Sequence, residues 1–249
     1  MNLFQLFEDI EKVDGDMAER VSYYSRRNWL KMSRKVSTAV AAPTVLAASL
    51  NEAYAQASQT AVVDVLNFAL TLEYLEDEYY RTALNTTGLI ASDDQIIRQI
   101  SKHEAAHVAL LKGALGSAAI AKPTFKFGTV FSSQQTFLAV AQALEDTGVR
   151  AYKGQAGNLL GTDALTTALQ IHSVEARHAA MIRRVRAQKG WISDPAEQPS
   201  AVYAGEDNTT QAGVALPGAT GKDAARVREA FDEPLTKEQV LAIAAPYLA

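Results

Sequence analysis

One pattern occurs twice in this chain and limits its fold more than any other feature. Glu104-Ala105-Ala106-His107 and Glu175-Ala176-Arg177-His178 are two Glu-x-x-His tetrads, and each follows a glutamate and a tyrosine spaced by seven residues, Glu73 with Tyr80 and Glu145 with Tyr152. Glu73 precedes Glu104 by 31 residues and Glu145 precedes Glu175 by 30, so one half of the region repeats the other. On a helix, side chains three apart share a face about 5–6 Å from one another, and side chains seven apart lie two turns along one stripe. A single Glu-x-x-His is ordinarily a solvated helix pair. Two in register, each with its own upstream Glu and Tyr, call for four helices turning polar groups toward a common axis.

Hydrophobic periodicity supplies four such helices. The first is expected over about 60–86, ended by Gly88, with Val62, Val63, Leu66, Ala69, Leu70 and Leu72 on a broad apolar face. The second follows Ser92-Asp93-Asp94, a cap signal with acidic groups at the positive helix end, and continues through Ile96, Ile97, Ile100, Ala106 and Leu110 to Gly116. The third starts at Ser132 or Ser133 and runs to about Leu160; the fourth starts at Gly161-Thr162-Asp163 and runs to Lys189, before Gly190. Short links make the first and second, and the third and fourth, antiparallel hairpins. Between the hairpins lie the 15 residues 117–131, with Pro123, Gly128 and three phenylalanines. A helix of ~27 residues is about 40 Å long and 15 extended residues reach about 50 Å, so this link can cross the whole bundle. The expected fold is all-α: a four-helix bundle with one long crossover between helices two and three.

The chemistry open to these side chains is narrow. The chain has 249 residues and no cysteine, which excludes disulfides, thiolate metal sites and iron–sulfur clusters. Charged residues are 21% of the total and net charge is only −4, so the balance gives no reason to expect a nucleic-acid partner. Any metal must be held by carboxylate and imidazole. Glu73, Glu104, His107, Glu145, Glu175 and His178 form a set of six inward ligands suited to iron or manganese. Four carboxylates also match the charge of two divalent ions, and without metal they would repel one another in a bundle core. Tyr80 and Tyr152 stand where each could donate a hydrogen bond that orients a ligand. Glu76 shares a face with Glu73, but Gly148 occupies the corresponding place in the second half, so Glu76 is expected to support the ligands or meet solvent. His103 is expected on the flank of helix two and His172 along the bundle lining, both structural.

This ligand pattern resembles that of the ferritin-like superfamily, which includes ferritin, rubrerythrin and manganese catalase. The stretch Leu66-Asn67-Phe68-Ala69-Leu70-Thr71-Leu72-Glu73-Tyr74-Leu75-Glu76 is similar to the bacterial and plant branch that includes desiccation-associated proteins. The resemblance covers about 60–189. It implies a centre of two iron or two manganese ions and redox chemistry with dioxygen or peroxide, of the ferroxidase or catalase kind. The desiccation-associated branch implies an alternative, a protective or interaction protein whose metal is structural. A homo-oligomer is compatible with either. His103-Glu104-x-x-His107 also satisfies the zinc-protease pattern, with two histidine ligands and a glutamate base. That reading lacks a downstream third ligand, since no Asp or Glu lies between Val108 and Leu144, and it leaves the second tetrad unexplained.

The two ends read differently. Ser25-Arg26-Arg27-Asn28-Trp29-Leu30-Lys31 resembles the twin-arginine export motif; residues 36–51 carry no charge; and Ala53-Tyr54-Ala55 offers a cleavage site before Gln56. The uncharged stretch is too short for stable membrane insertion, which takes roughly 20 apolar residues. The expected organisation is an export signal over 1–55, the bundle over 56–190 and an extension packed on the bundle over 191–249, working in the periplasm or beyond. Within the extension, 194–222 reads as an extended surface loop, and 223–231 and 236–248 as two short helices on the bundle.

Overall fold

A computed structural model of the protein describes residues 59–91 and 94–249. The export motif, the uncharged stretch and the cleavage triplet lie outside the described residues, as do Ser92 and Asp93. Four long helices carry the architecture: α1 Gln59–Asn85, α2 Gln95–Leu115, α3 Gln134–Gln155 and α4 Asp163–Val185. α1 packs along α2, and α3 along α4, as two hairpins. The starts of α2 and α3 are chemically marked. The Asp94 carboxylate accepts from the Ile96 and Ile97 amides at 3.0 and 3.1 Å, and Ser133 and Thr136 cap α3 reciprocally. Gly116, at φ +55°, ends α2.

α4 stops at Val185, four residues before the expected end at Lys189. Ala187 takes the left-handed conformation at φ +58°, and the Gln188 amide closes back on the Arg183 carbonyl at 2.9 Å. A left-handed closing residue is usually glycine, which is why Gly190 drew the expected boundary too far.

The link between the hairpins crosses the bundle, and its side-chain anchors trace the route. The Asn67 amide bonds the Ala118 carbonyl and accepts from the Ile120 amide, both at 2.9 Å. Lys122 then reaches Asp77 at 3.3 Å and Glu78 at 2.7 Å, and the Phe127 and Phe131 rings pack on Tyr79 at 5.4 and 5.2 Å. The loop thus climbs α1 by about three turns before Ser133 opens α3. Two apolar layers fill the interior. One gathers Leu72, Leu75, Tyr79, Tyr80, Phe137, Leu144 and Ile182; the other gathers Val65, Leu70, Leu111, Tyr152, Leu159 and Ile171.

Most of 194–222 is exposed, as expected of a surface loop, but the stretch is anchored where Val202, Tyr203 and Glu206 are buried. Val202 and Tyr203 are buried against Ala143 and Ile192, and the Tyr203 hydroxyl donates to Asp146 at 2.8 Å. A two-stranded hairpin (β1 Thr210–Gln211, β2 Val214–Ala215) and three short helices follow: α5 Leu216–Thr220, α6 Ala224–Arg228 and α7 Lys237–Ala244. The Arg150 guanidinium, fully buried on α3, donates to the carbonyls of Val202, Ala204 and Glu233 and pairs with Glu206 at 3.1 Å. At the end of the chain the Ala249 amide bonds Thr124 in the crossover at 3.0 Å. Among the described residues, no helix is long and apolar enough to cross a membrane.

Candidate metal centre

α1 contributes Glu73, α2 contributes Glu104 and His107, α3 contributes Glu145, and α4 contributes Glu175 and His178. The structure brings all six together between the two apolar layers. The four glutamates are fully buried, and the histidines nearly so. The side chains form two overlapping groups whose ligand atoms lie within 4.8 Å of one another: Glu73, Glu104, His107 and Glu175; and Glu104, Glu145, Glu175 and His178. Glu104 and Glu175 belong to both. His107 Nδ1 lies 3.1 Å from Glu73, 3.3 Å from Glu104 and 3.2 Å from Glu175; His178 Nδ1 lies 2.9 Å from Glu104 and 3.3 Å from Glu145.

Several of these short contacts fail as hydrogen bonds. Glu104 Oε1, Glu145 Oε2, both Glu175 oxygens and His178 Nδ1 are buried with no hydrogen-bond partner among the described residues. Buried polar atoms are almost always paired, and an unpaired carboxylate oxygen is costly. Here five such atoms crowd one small volume, close in distance but wrongly aimed for one another. Lone pairs that converge without donors between them suit cations, so the donor set fits a metal site.

Electrostatics point the same way. Burial alone lowers the affinity of His107 for its proton, but Glu104, Glu175 and Glu73 overcome it and push the ring up to about 12. His178 is likewise lowered by burial and raised more strongly by Glu145 and Glu104, to about 11. Burial pushes Glu104 up to about 7, against the pull of the two histidines. Burial and repulsion from neighbouring carboxylates raise Glu175 and Glu76 well above the usual range. All of these shifts come from carboxylates crowded in a buried volume, the charge that a bound cation would offset.

Both tyrosine hydroxyls donate to glutamates of the cluster, each on the facing helix. Each hydroxyl crosses the bundle: Tyr80 on α1 donates to Glu145 Oε1 on α3, and Tyr152 on α3 donates to Glu73 Oε1 on α1, both at 2.5 Å. Seven-residue spacing put each tyrosine on the stripe of its own helix's glutamate, but two turns separate that pair and the facing helix is closer. Glu76 is buried rather than solvated, and Gly148 explains how. A Cβ on Gly148 would stand 3.0 Å from Glu175 Oε2 and 3.5 Å from Glu76 Oε1, so its missing side chain opens the space these carboxylates share. His103 is not merely on the flank of α2: its Nδ1 lies 2.8 Å from His178 Nε2, and its Nε2 lies 2.8 Å from the Gln99 side chain. Gln99 was missed by sequence reasoning, although its place one turn before His103 was visible. His172 is half-buried and joins neither ligand group. The zinc-protease reading needs His103 and His107 on one ion. The structure gives them different partners, and no ligand group among the described residues includes His103.

Residues 61–188, just over half of the chain, match the family described as a ferritin-like domain. A comparison with curated proteins finds no match.

Proposed function

The chain belongs to the ferritin-like domain family, and from that premise we propose that it binds two iron or two manganese ions for redox chemistry with dioxygen or peroxide. The observation that carries the reading is the knot of buried, partnerless oxygen and nitrogen atoms shared by Glu104, Glu145, Glu175 and His178. Glu73 and His107 would hold one ion, Glu145 and His178 the other, and Glu104 and Glu175, which belong to both ligand groups, would serve both. Bound iron or manganese would supply one-electron exchange with dioxygen or peroxide at neutral pH. The protein's share is positioning and exclusion. The Tyr80 and Tyr152 hydroxyls each hold one oxygen of a glutamate, which fixes the carboxylate plane and leaves its second oxygen facing the centre. The apolar layers on either side keep bulk water out, which strengthens every charge interaction inside.

The test is metal content followed by turnover. Protein purified without chelator should hold about two ions per chain by elemental analysis, as four carboxylates and two imidazoles imply. Reconstituted with Fe(II), it should consume dioxygen; reconstituted with Mn(II), it should consume peroxide. Absence of turnover with both metals sinks the redox reading, and a large chelator-induced loss of thermal stability would then mark the metal as structural.

The export reading is proposed on Arg26-Arg27, the uncharged 36–51 stretch and Ala53-Tyr54-Ala55. Mass spectrometry of periplasmic protein should find Gln56 at its N-terminus, and Arg26→Lys with Arg27→Lys should keep the chain inside the cell.

A further inference from the structure

The two halves of the centre repeat closely, and the places where they differ are informative. The residue immediately before Glu104 is His103; the residue immediately before Glu175 is Val174. His103 Nδ1 lies 2.8 Å from His178 Nε2, with the two ring planes only 11° apart, and His103 Nε2 lies 2.8 Å from the Gln99 side-chain amide. His107 has no equivalent. The polar partners of its ring among the described residues are Glu73, Glu104 and Glu175, all gathered around Nδ1, and the Val174 side chain is a hydrocarbon with no hydrogen-bonding atom.

The chemistry of the imidazole then orders the chain of contacts. A neutral ring that gives Nδ1 to a cation carries its one proton on Nε2. His178 Nε2–H therefore donates to His103 Nδ1, which leaves the His103 proton on Nε2, pointing at Gln99. The Gln99 amide, which exposes an oxygen or a nitrogen by a half-turn of the group, answers with its oxygen. Once His178 Nδ1 is given to a cation, each further link follows from the one before, with the Gln99 amide turned from the nitrogen that stands 2.8 Å from His103 Nε2 to its oxygen, and together they hold the His178 ring in the tautomer and orientation that present Nδ1 to the carboxylates. A partner on the outer nitrogen of a histidine ligand fixes the ring and raises its basicity, and losing it typically costs about 10–100-fold in metal affinity.

We propose that Gln99 and His103 are positioning residues for His178, and that they make the two cation positions unequal, with the Glu145–His178 position filling first. The inference rests on the dinuclear reading above. Mn(II), and in a separate anaerobic series Fe(II), are added stepwise to metal-free full-length protein, with free metal followed by equilibrium dialysis. For Mn(II), electron paramagnetic resonance distinguishes isolated from coupled ions. The wild type should bind its first ion at least about tenfold tighter than its second, and isolated Mn(II) should dominate at one equivalent. His103→Ala should weaken the first step by at least about tenfold, merging the two steps, with the second unchanged. His103→Asn, whose Oδ1 stands near the former Nδ1, should restore the separation. Gln99→Ala, at an exposed position where folding is not at issue, should weaken the first step by a smaller factor. Two ions bound with equal affinity by the wild type would overturn the inference and leave the dinuclear reading intact. Equal weakening of both steps in His103→Ala, or of neither, has the same consequence. A wild-type chain that binds neither metal removes the dinuclear reading itself.

Discussion

Tyr80 and Tyr152 each set a buried hydroxyl against one oxygen of a glutamate on the facing helix, Glu145 and Glu73 respectively, at 2.5 Å. Replacing either by phenylalanine keeps the ring packing but leaves a carboxylate oxygen buried without its donor. Tyr80→Phe and Tyr152→Phe should each destabilise metal-free protein by about 1.5–3 kcal/mol in denaturant unfolding. Each should also weaken a different ion by about 10–100-fold in a metal titration, because each hydroxyl serves a different ligand group. Titration of the centre carries its own sign. His107 and His178 are raised from the usual histidine value to about 12 and about 11, and Glu104 is raised to about 7. A folded-state value above the unfolded one means the folded chain holds its protons more tightly. These groups therefore stabilise the metal-free fold fully only below the unfolded values, about 6.5 for histidine and about 4.3 for glutamate. That contribution is lost as pH rises toward the folded values. Metal needs the same groups deprotonated, so its affinity runs the opposite way. Metal-free protein should lose stability from pH 5 to pH 9 while metal affinity climbs. Calorimetry in two buffers of different ionisation enthalpy should show protons released on binding, and no buffer dependence would refute the assignment.

At the scale of elements, the packing of the C-terminal segment on α3 turns on a glycine. A Cβ on Gly154 would stand 2.0 Å from the Leu235 carbonyl oxygen, a backbone atom that cannot swing aside, whereas a Cβ on Gly157, one turn away, meets nothing within 4 Å. Gly154→Ala should cost about 3 kcal/mol or more, the upper range for overpacking. Gly157→Ala should stay within about 0.5 kcal/mol. Limited proteolysis should cut beyond residue 191 in the first variant and not in the second. This pair also marks where sequence reading stops. The helices, the crossover and the six clustered side chains were legible because helical period, caps and Glu-x-x-His spacing are written in neighbouring residues. The burial of Val202, Tyr203 and Glu206 inside a stretch read as surface loop was not. Alongside Tyr203 and Glu206, the docked segment is held through main-chain carbonyls of Val202, Ala204 and Glu233 and an oxygen over a glycine, groups that every residue carries and no pattern betrays. The crossing of the tyrosines escaped for a related reason: spacing along one helix says which stripe a hydroxyl starts from, not which neighbour it reaches.

For the molecule as a whole, the question is whether bundle and C-terminal segment unfold together. Arg150 is fully buried on α3, and its guanidinium depends on carbonyls and a carboxylate from beyond α4. Asp146 on α3 is bound by Arg183 of α4 at 2.6 Å and by the Tyr203 hydroxyl at 2.8 Å, so one carboxylate ties together both helices and the segment that follows. Undocking the segment alone would strand the Arg150 charge without its partners, and breaking a buried charged network by removing one side costs about 3–5 kcal/mol. That penalty opposes a partly unfolded state in which the bundle survives without its cover. The chain has two tryptophans, Trp29 and Trp191, so protein beginning at Gln56 carries Trp191 as its single reporter, at the junction between α4 and the docked segment. Its fluorescence should follow the docking, while far-ultraviolet circular dichroism follows the four long helices. The two signals should share one denaturation midpoint, the mark of a single cooperative transition. An earlier fluorescence midpoint, with helical signal retained, would mean that the segment is an independent attachment and that the Arg150 and Asp146 contacts do not couple it to the bundle.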